Sequence, residues 1–282
     1  MDTLGGSSVY ISAAASYFVN PVRVVGVVGS DFPKAGFDFL EERKVDTEGV
    51  QIVQGGKTFR WAGRYHYDLN QRDSLSTDLN VFETFNPVVP EQYKRSRYVC
   101  LGNIDPVLQL RVLEQIDSPR MVICDTMNYW IDRKKDDLLK TLKSISVVIL
   151  NDSEARLLAQ EPNLIKAGRL IRSMGPSVVI IKKGEHGALL MTESMTFSAP
   201  AYPMENIFDP TGAGDSFAGG FVGWLARTDD QSEENLKRAV IYGSTLASFC
   251  VEKFSIDGLR DLTYLRIQDR FREFRELSRF ED

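Results

Sequence analysis

The sequence predicts an α/β fold: a mostly parallel sheet layered with helices, together with a small β-sheet set apart from it. Three observations carry this. From about residue 97, the short apolar runs Tyr98–Leu101, Met121–Cys124, Ser146–Leu150 and Val178–Ile181 recur, and helical stretches follow the first three at about 106–116, 134–143 and 152–174. Alternation of this kind builds right-handed βαβ units and a parallel sheet. Val22 to Val28 is a continuous apolar run, the pattern of a strand covered on both faces. Residues 49–86 differ: Thr58-Phe59-Arg60-Trp61-Ala62-Gly63-Arg64-Tyr65-His66-Tyr67 alternates, with few helix signals. Antiparallel strands with one wetter face are expected there.

The remaining elements complete the outline. Gly5-Gly6-Ser7-Ser8 reads as a loop feeding a helix, with Ser7 or Ser8 as N-cap and Ile11, Ala14, Ala15 and Phe18 on one face. Residues 33–43 read as a short helix. The last third is helical at about 213–227, 231–252 and 262–276, and Asp230 to Glu233 has capping-box spacing. The expected division is a core of residues 1–48 and 87–282 with a small lid of residues 49–86.

Composition narrows the function. The chain has 282 residues, 43% hydrophobic and 26% charged, with net charge -5 and pI near 5.3. It offers no basic field for nucleic acid or anionic lipid, so the expected partners are small molecules. Cys100, Cys124 and Cys250 have no metal or redox spacing and read as buried thiols in a reducing cytoplasm. Two histidines exclude a His-rich metal site. Val9–Val19 is apolar, but the first basic residue is Arg23, so a buried helix fits better than a signal peptide, and no membrane span is expected.

In open sheets of this type ligands sit at the carboxyl ends of the strands. Polar clusters stand there after the apolar runs: Asn103 and Asp105, Asp125 and Asn128, Asn151 to Glu154, and Lys182 to Gly187. The strongest signal is Asp209-Pro210-Thr211-Gly212-Ala213-Gly214-Asp215-Ser216-Phe217-Ala218-Gly219-Gly220. Small residues opening a helix let an anion approach free N–H groups at the positive end of the dipole. A carboxylate beside such a site repels a phosphate. It makes chemical sense if Asp215 takes a proton from a hydroxyl that attacks a phosphoryl group. The plainer reading is a glycine-rich turn whose Asp stabilises the helix dipole.

The string Asp-Pro-Thr-Gly-Ala-Gly-Asp-Ser-Phe resembles the C-terminal signature of the ribokinase-like, or phosphofructokinase-B, carbohydrate kinases, and the resemblance covers most of the chain. It implies a three-layer α/β/α sandwich with a β-lid at 49–86, and transfer of the ATP γ-phosphoryl group to a sugar hydroxyl. Asp215 would be the base, and Gly212, Ala213 and Gly214 the anion hole. Gly5 and Gly6 resemble the di-glycine that touches the sugar. Asn151-Asp152-Ser153-Glu154 resembles the N-x-x-E motif, which orders Mg²⁺ through water. Lys182, Gly184 and Gly187 fall where the family contacts the nucleotide, and the lid implies a homodimer. Asn151 and Glu154 are equally an ordinary capping box. Asp125 and Asn128 would help hold metal or phosphates, or merely end a strand.

Other site candidates are weaker. Alternation puts Arg60, Ala62, Arg64 and His66 on one lid face, where the arginines would project toward a ligand, and Asn103 would hydrogen-bond a hydroxyl. The chain departs from the family where only four residues, Asp2 among them, precede Gly5. A break in the sheet beside Val22–Val28 is therefore expected. Tyr10 stands where a sugar-binding Asn is common. Ser248 to Phe254 lacks the glycine near the family's potassium site, which puts K⁺ in doubt although Asp209 and Thr211 could contribute. A sugar kinase leads. A nucleoside kinase, with Trp61 and Tyr65 stacking a base, and a non-catalytic sensor keeping the fold are the alternatives.

Overall fold

The computed structural model describes residues 3–70, 72–277 and 279; Asp2 lies outside them. In chain order the elements are α1 (Ser7–Ala15), β1 (Val22–Gly29), α2 (Lys34–Glu42), β2 (Val45–Val53), β3 (Arg60–Tyr65), β4 (Arg72–Asp78), β5 (Tyr98–Leu101), α3 (Pro106–Leu113), β6 (Met121–Asp125), α4 (Asn128–Arg133), α5 (Lys135–Lys143), β7 (Val147–Asn151), α6 (Asp152–Ala159), α7 (Leu164–Ser173), β8 (Val178–Lys182), β9 (Ala188–Met191), β10 (Thr196–Ala199), α8 (Ala213–Thr228), α9 (Glu233–Cys250), α10 (Asp257–Arg260) and α11 (Tyr264–Glu276).

The main sheet has six strands in the order β10-β9-β8-β7-β6-β5. β5 to β8 pair in parallel, while β9 and β10 add an antiparallel edge that the apolar runs did not announce. Alternate strand residues serve opposite layers. Ile123, Val147, Ile149 and Ile180 pack with Ile11 of α1 and with Phe217, Phe221 and Val240 of α8 and α9. Val148, Leu150, Val179 and Ile181 pack on the other side with Leu138, Leu142, Leu158 and Ile171 of α5 to α7. This is the expected three-layer α/β/α sandwich.

Local chemistry moves several boundaries. The stretch expected as one helix over 152–174 is two, because Pro162 cannot donate within a helix and Asn163 caps α7 through its side chain. Ser232 caps α9, so Asp230 stands outside that helix and instead accepts from Ser232 N at 2.8 Å. α1 is buried on both sides, Ile11 and Ala15 toward one cluster and Val9, Tyr10, Ala13 and Ala14 toward another. Its N-cap is Gly6, with no side-chain cap, so neither Ser7 nor Ser8 has the expected capping role.

The expected break in the sheet is present. Among the described residues β1 pairs only with β2, in parallel, as a two-stranded sheet of its own. Val25, Val27 and Val28 are accordingly half-buried, where a strand covered on both faces was expected. Residues 49–53, expected among the antiparallel strands, belong to β2. The antiparallel sheet is the hairpin β3–β4 alone.

Candidate active site

The carboxyl ends of β6, β7 and β8 and the start of α8 converge on one charged cluster. Gly212 precedes α8 in the left-handed region, φ 80°, and a β-carbon there would stand 2.4 Å from the Tyr10 ring. Only glycine allows this turn over that ring. It opens α8 and sets Asp215 in its first turn, where the Ala213 N–H, expected in the anion hole, instead donates to Pro210 O at 3.2 Å. Burial pushes the Asp215 carboxyl up to about 6; Asp125 adds to this, while Lys182, Ser7 and Arg72 oppose it.

Lys182, the last residue of β8, is the central cation. Its Nζ lies 3.6 Å from Asp125 Oδ1, and 2.8 Å from where a β-carbon on Gly214 would stand. Burial alone would lower its pKa, but Asp125, Glu154 and Asp215 together raise it above the ordinary lysine value, so it stays charged. It is a half-buried lysine held by carboxylates, not a solvated surface lysine.

Asn151 and Glu154 form a full capping box on α6: Asn151 Oδ1 accepts from Glu154 N at 2.8 Å, and Glu154 Oε2 accepts from Asn151 N at 2.7 Å. That engages the Asn151 oxygen and one Glu154 oxygen in holding the turn. Burial raises the Glu154 carboxyl to about 7. Asp125 Oδ1 is buried without a hydrogen-bond donor. Asn128 is the first residue of α4, just past this strand end.

Several expected site residues are employed elsewhere. Tyr10 is buried beneath Gly212 and faces Asp209, Cys250 and Ser255, so it supports the anion turn from below and does not face a ligand. Asn103 Oδ1 accepts from Trp130 Nε1 at 3.0 Å. Asp105 caps α3 and pairs with Lys134 at 2.5 Å. A β-carbon on Gly187 would meet Ala199 O at 2.0 Å, and its φ is 79°, so this glycine closes the turn from β8 to β9 against β10. Gly184 lies against Asn70 of the hairpin. Gly5 and Gly6 have open space where a side chain would be, as close approach of a ligand requires. Asp209 accepts Thr211 N and Ser255 N on its two oxygens and clamps the loop.

The hairpin presents the face opposite to the one expected. Along β3, Arg60, Ala62 and Arg64 are exposed while Trp61, Gly63 and Tyr65 are half-buried. The alternation was legible, but not which face turned inward. Arg60 pairs with Asp31 at 3.6 Å and His66 with Asp73 at 3.0 Å. On the inner face Tyr65 OH meets Thr211 Oγ1 at 3.1 Å, which ties the hairpin to the signature loop.

Two residues at the cluster were missed. Ser7 favours the ionised form of Asp215, and expecting it to be an N-cap obscured that role. Arg72 acts electrostatically on both Asp215 and Glu154, and a lone charge in an exposed strand gives no motif to find it by.

Residues 2–258 match the pfkB family of carbohydrate kinases. A cytidine kinase of Thermococcus kodakarensis is 30% identical over 79% of this chain and 80% of its own length. A nucleoside kinase of Methanothermobacter thermautotrophicus is 25% identical over 88% of this chain and 78% of its own length. Among solved structures, a putative ribokinase II of E. coli in complex with ATP and Mg²⁺ aligns with TM-score 0.80 at 18% identity, over 95% of this chain and 89% of that one, a likeness of fold. A glycine-opened helix with a half-buried carboxylate in its first turn, on a ribokinase fold and matched nearly throughout, makes this chain a member of the pfkB carbohydrate kinase family, an ATP-dependent phosphotransferase with a hydroxyl acceptor.

Proposed function

We propose that this kinase phosphorylates a hydroxyl on the sugar of a nucleoside, with Asp215 as general base. The observation that carries the chemical part is Asp215 in the first turn of α8, beside Lys182 and the Gly212-Ala213-Gly214 turn. The acceptor hydroxyl gives its proton to the Asp215 carboxylate as its oxygen attacks the γ-phosphorus and the bond to ADP breaks. The amides of Gly212 and Gly214 and the Lys182 ammonium stabilise charge on the phosphoryl oxygens, the Ala213 N–H being held by Pro210 O. A pKa near 6 leaves Asp215 ionised at neutral pH yet a better base than an ordinary aspartate. The aromatic inner face of the hairpin, Trp61 and Tyr65, and the relatives named for nucleosides favour a base-bearing acceptor. A free sugar is the second reading, favoured by the open Gly5-Gly6 backbone. The nucleotide lies toward Lys182 and Gly184.

Mg²⁺ fits the residues present. Asp125 has a buried oxygen without a donor, and Glu154 has one oxygen outside its capping bond. No group of three acidic, His or Cys side chains forms a metal cage among the described residues, which suits an ion that keeps its waters and leans on nucleotide phosphates. Asp125 and Glu154 would hold it, Glu154 through water oriented with Asn151, and it would neutralise charge on the phosphates. No step is assigned to a monovalent cation.

The hairpin serves as lid, excluding water that would otherwise take the phosphoryl group. The exposed apolar Leu75 of β4, 58% exposed, supports a homodimer through the lid. Three free cysteines suit a cytoplasmic enzyme. No helix among the described residues is long and apolar enough to cross a membrane.

The test is an ADP-release screen over nucleosides, pentoses, hexoses and their phosphates, with Asp215→Asn as control. Release with a nucleoside, lost by about 10²–10⁴-fold in the variant, is expected. Release with free sugars alone would reassign the acceptor. Silence with every compound would favour the non-catalytic sensor.

A further inference from the structure

The inner face of the lid carries a cation that the family signature does not assign. In the β3–β4 pair, Arg72 is the register partner of Tyr65. Partners across an antiparallel pair project to the same side. Tyr65 reaches the signature loop at Thr211, 3.1 Å away. Asn70, two residues before Arg72, donates to Glu185 Oε2 at 2.7 Å, and its side chain occupies the space a β-carbon on Gly184 would need. The end of the hairpin therefore bridges the signature loop and the loop after β8, and Arg72 stands between these two anchors. Its guanidinium lies 5.3 Å from the centroid of the Trp61 ring, and Trp61 is fixed in turn by its Nε1 donating to Ser74 Oγ at 3.0 Å. From there Arg72 stabilises the ionised forms of both Asp215 and Glu154. Asp215 lies in the first turn of α8 and Glu154 in the first turn of α6, so the cation acts on two separate elements of the cluster.

We propose that Arg72 is a catalytic arginine, delivered by the lid in the same chain, that pairs with the oxygens of the γ-phosphoryl group during transfer. The proposal rests on the phosphotransferase reading above. A guanidinium offers a planar fork matched to two phosphate oxygens, whereas the Lys182 ammonium is a compact point charge. The pair would hold the group from two sides, Lys182 from the sheet and Arg72 from the lid. In the step the acceptor oxygen bonds to phosphorus, the bond to ADP breaks and the acceptor proton passes to Asp215; Arg72 neither gains nor loses a proton. Phosphoryl transfer depends mainly on positioning and charge stabilisation, so a cation that arrives with lid closure also ties turnover to exclusion of water. Stacking on Trp61 preorganises the guanidinium before the phosphate arrives.

The partition between ATP and ADP tests this directly, because only ATP carries the γ-phosphoryl group. Wild type, Arg72→Ala and Arg72→Lys would be titrated calorimetrically with Mg²⁺·AMP-PNP and Mg²⁺·ADP, then assayed for transfer to the acceptor found by the screen. Arg72→Ala should weaken AMP-PNP by about tenfold or more while ADP changes by less than about threefold. It should lower kcat by about 10³-fold, the lower end of what an arginine finger supplies. Added guanidinium ion should restore part of the activity of Arg72→Ala, and Arg72→Lys should fall between. Circular dichroism and Tm should match wild type, since Arg72 is exposed on a surface strand. Equal effects on AMP-PNP and ADP with kcat unchanged would overturn the proposal. So would a rise in acceptor KM alone, with an anionic acceptor, which would make Arg72 a reader of the substrate. If wild type transfers to no acceptor, the kinase reading fails, and the AMP-PNP to ADP ratio still decides for or against Arg72.

Discussion

The Lys182 ammonium lies 2.8 Å from the place a β-carbon on Gly214 would take, so these two residues share the floor of the candidate phosphate site. Gly214→Ala should displace the ammonium, whose stem is flexible, and partly fill the anion hole. Turnover should fall by up to about 10²-fold, comparable to losing one oxyanion donor. Alanine is the better helix former, so Tm should hold or rise. Opposite movements of kcat and Tm would identify Gly214 as a functional glycine; a fall in Tm with turnover intact would make it structural.

The acidity of Asp215 predicts a pH profile. The base works only when ionised, and its pKa stands near 6. With a neutral acceptor, kcat/KM should be level above about pH 7 and fall tenfold per unit well below 6. A profile level down to pH 4.5 would remove Asp215 from the role of base.

Glu154 predicts a stability effect of the opposite kind. Its folded pKa, near 7, exceeds the ordinary value of 4.5, so the folded state holds the proton more tightly than the unfolded one. The resulting stabilisation is complete below about pH 4.5 and is lost as pH rises through 7. Glu154→Gln keeps an acceptor for Asn151 N and has no charge to bury. It should raise Tm at pH 8, show little difference at pH 4.5, and weaken Mg²⁺-dependent nucleotide binding. Thermal melts at both pH values, beside Mg²⁺ titrations, would check all three.

Tyr65 OH and Thr211 Oγ1, 3.1 Å apart, latch the lid to the signature loop. Tyr65→Phe removes one neutral hydrogen bond, worth about 1 kcal/mol. Acceptor KM should rise several-fold, and ATP hydrolysis without acceptor should increase as the lid opens. Unchanged hydrolysis and KM would show that the latch does not govern closure.

Tyr10 separates support from substrate contact. Tyr10→Phe keeps the ring under Gly212 and removes a buried hydroxyl. Stability should drop by about 1 kcal/mol while acceptor KM stays the same. A large change in KM at constant Tm would return Tyr10 to the substrate site.

What sequence made legible was whatever depends on local covalent pattern. The four apolar runs of β5 to β8 had to be buried strands, because nothing else covers consecutive Val and Ile on both sides. The Gly212-to-Asp215 string had to open a helix, since its small residues suit a tight N-terminal turn. Facing and pairing were decided only in three dimensions. Period-two alternation on β3 is the same whichever side turns inward, so Trp61 and Tyr65 could replace Arg60 and Arg64 without any change of pattern. Ser7 reaches Asp215, and Tyr10 underlies Gly212, across most of the chain's length, because α1 packs against α8. Lys182 is a candidate phosphate cation and not a solvated lysine because Asp125, Glu154 and Asp215 arrive from three other elements to hold its charge. Such long-range electrostatic matching has no local signature, and the tertiary structure alone supplies it.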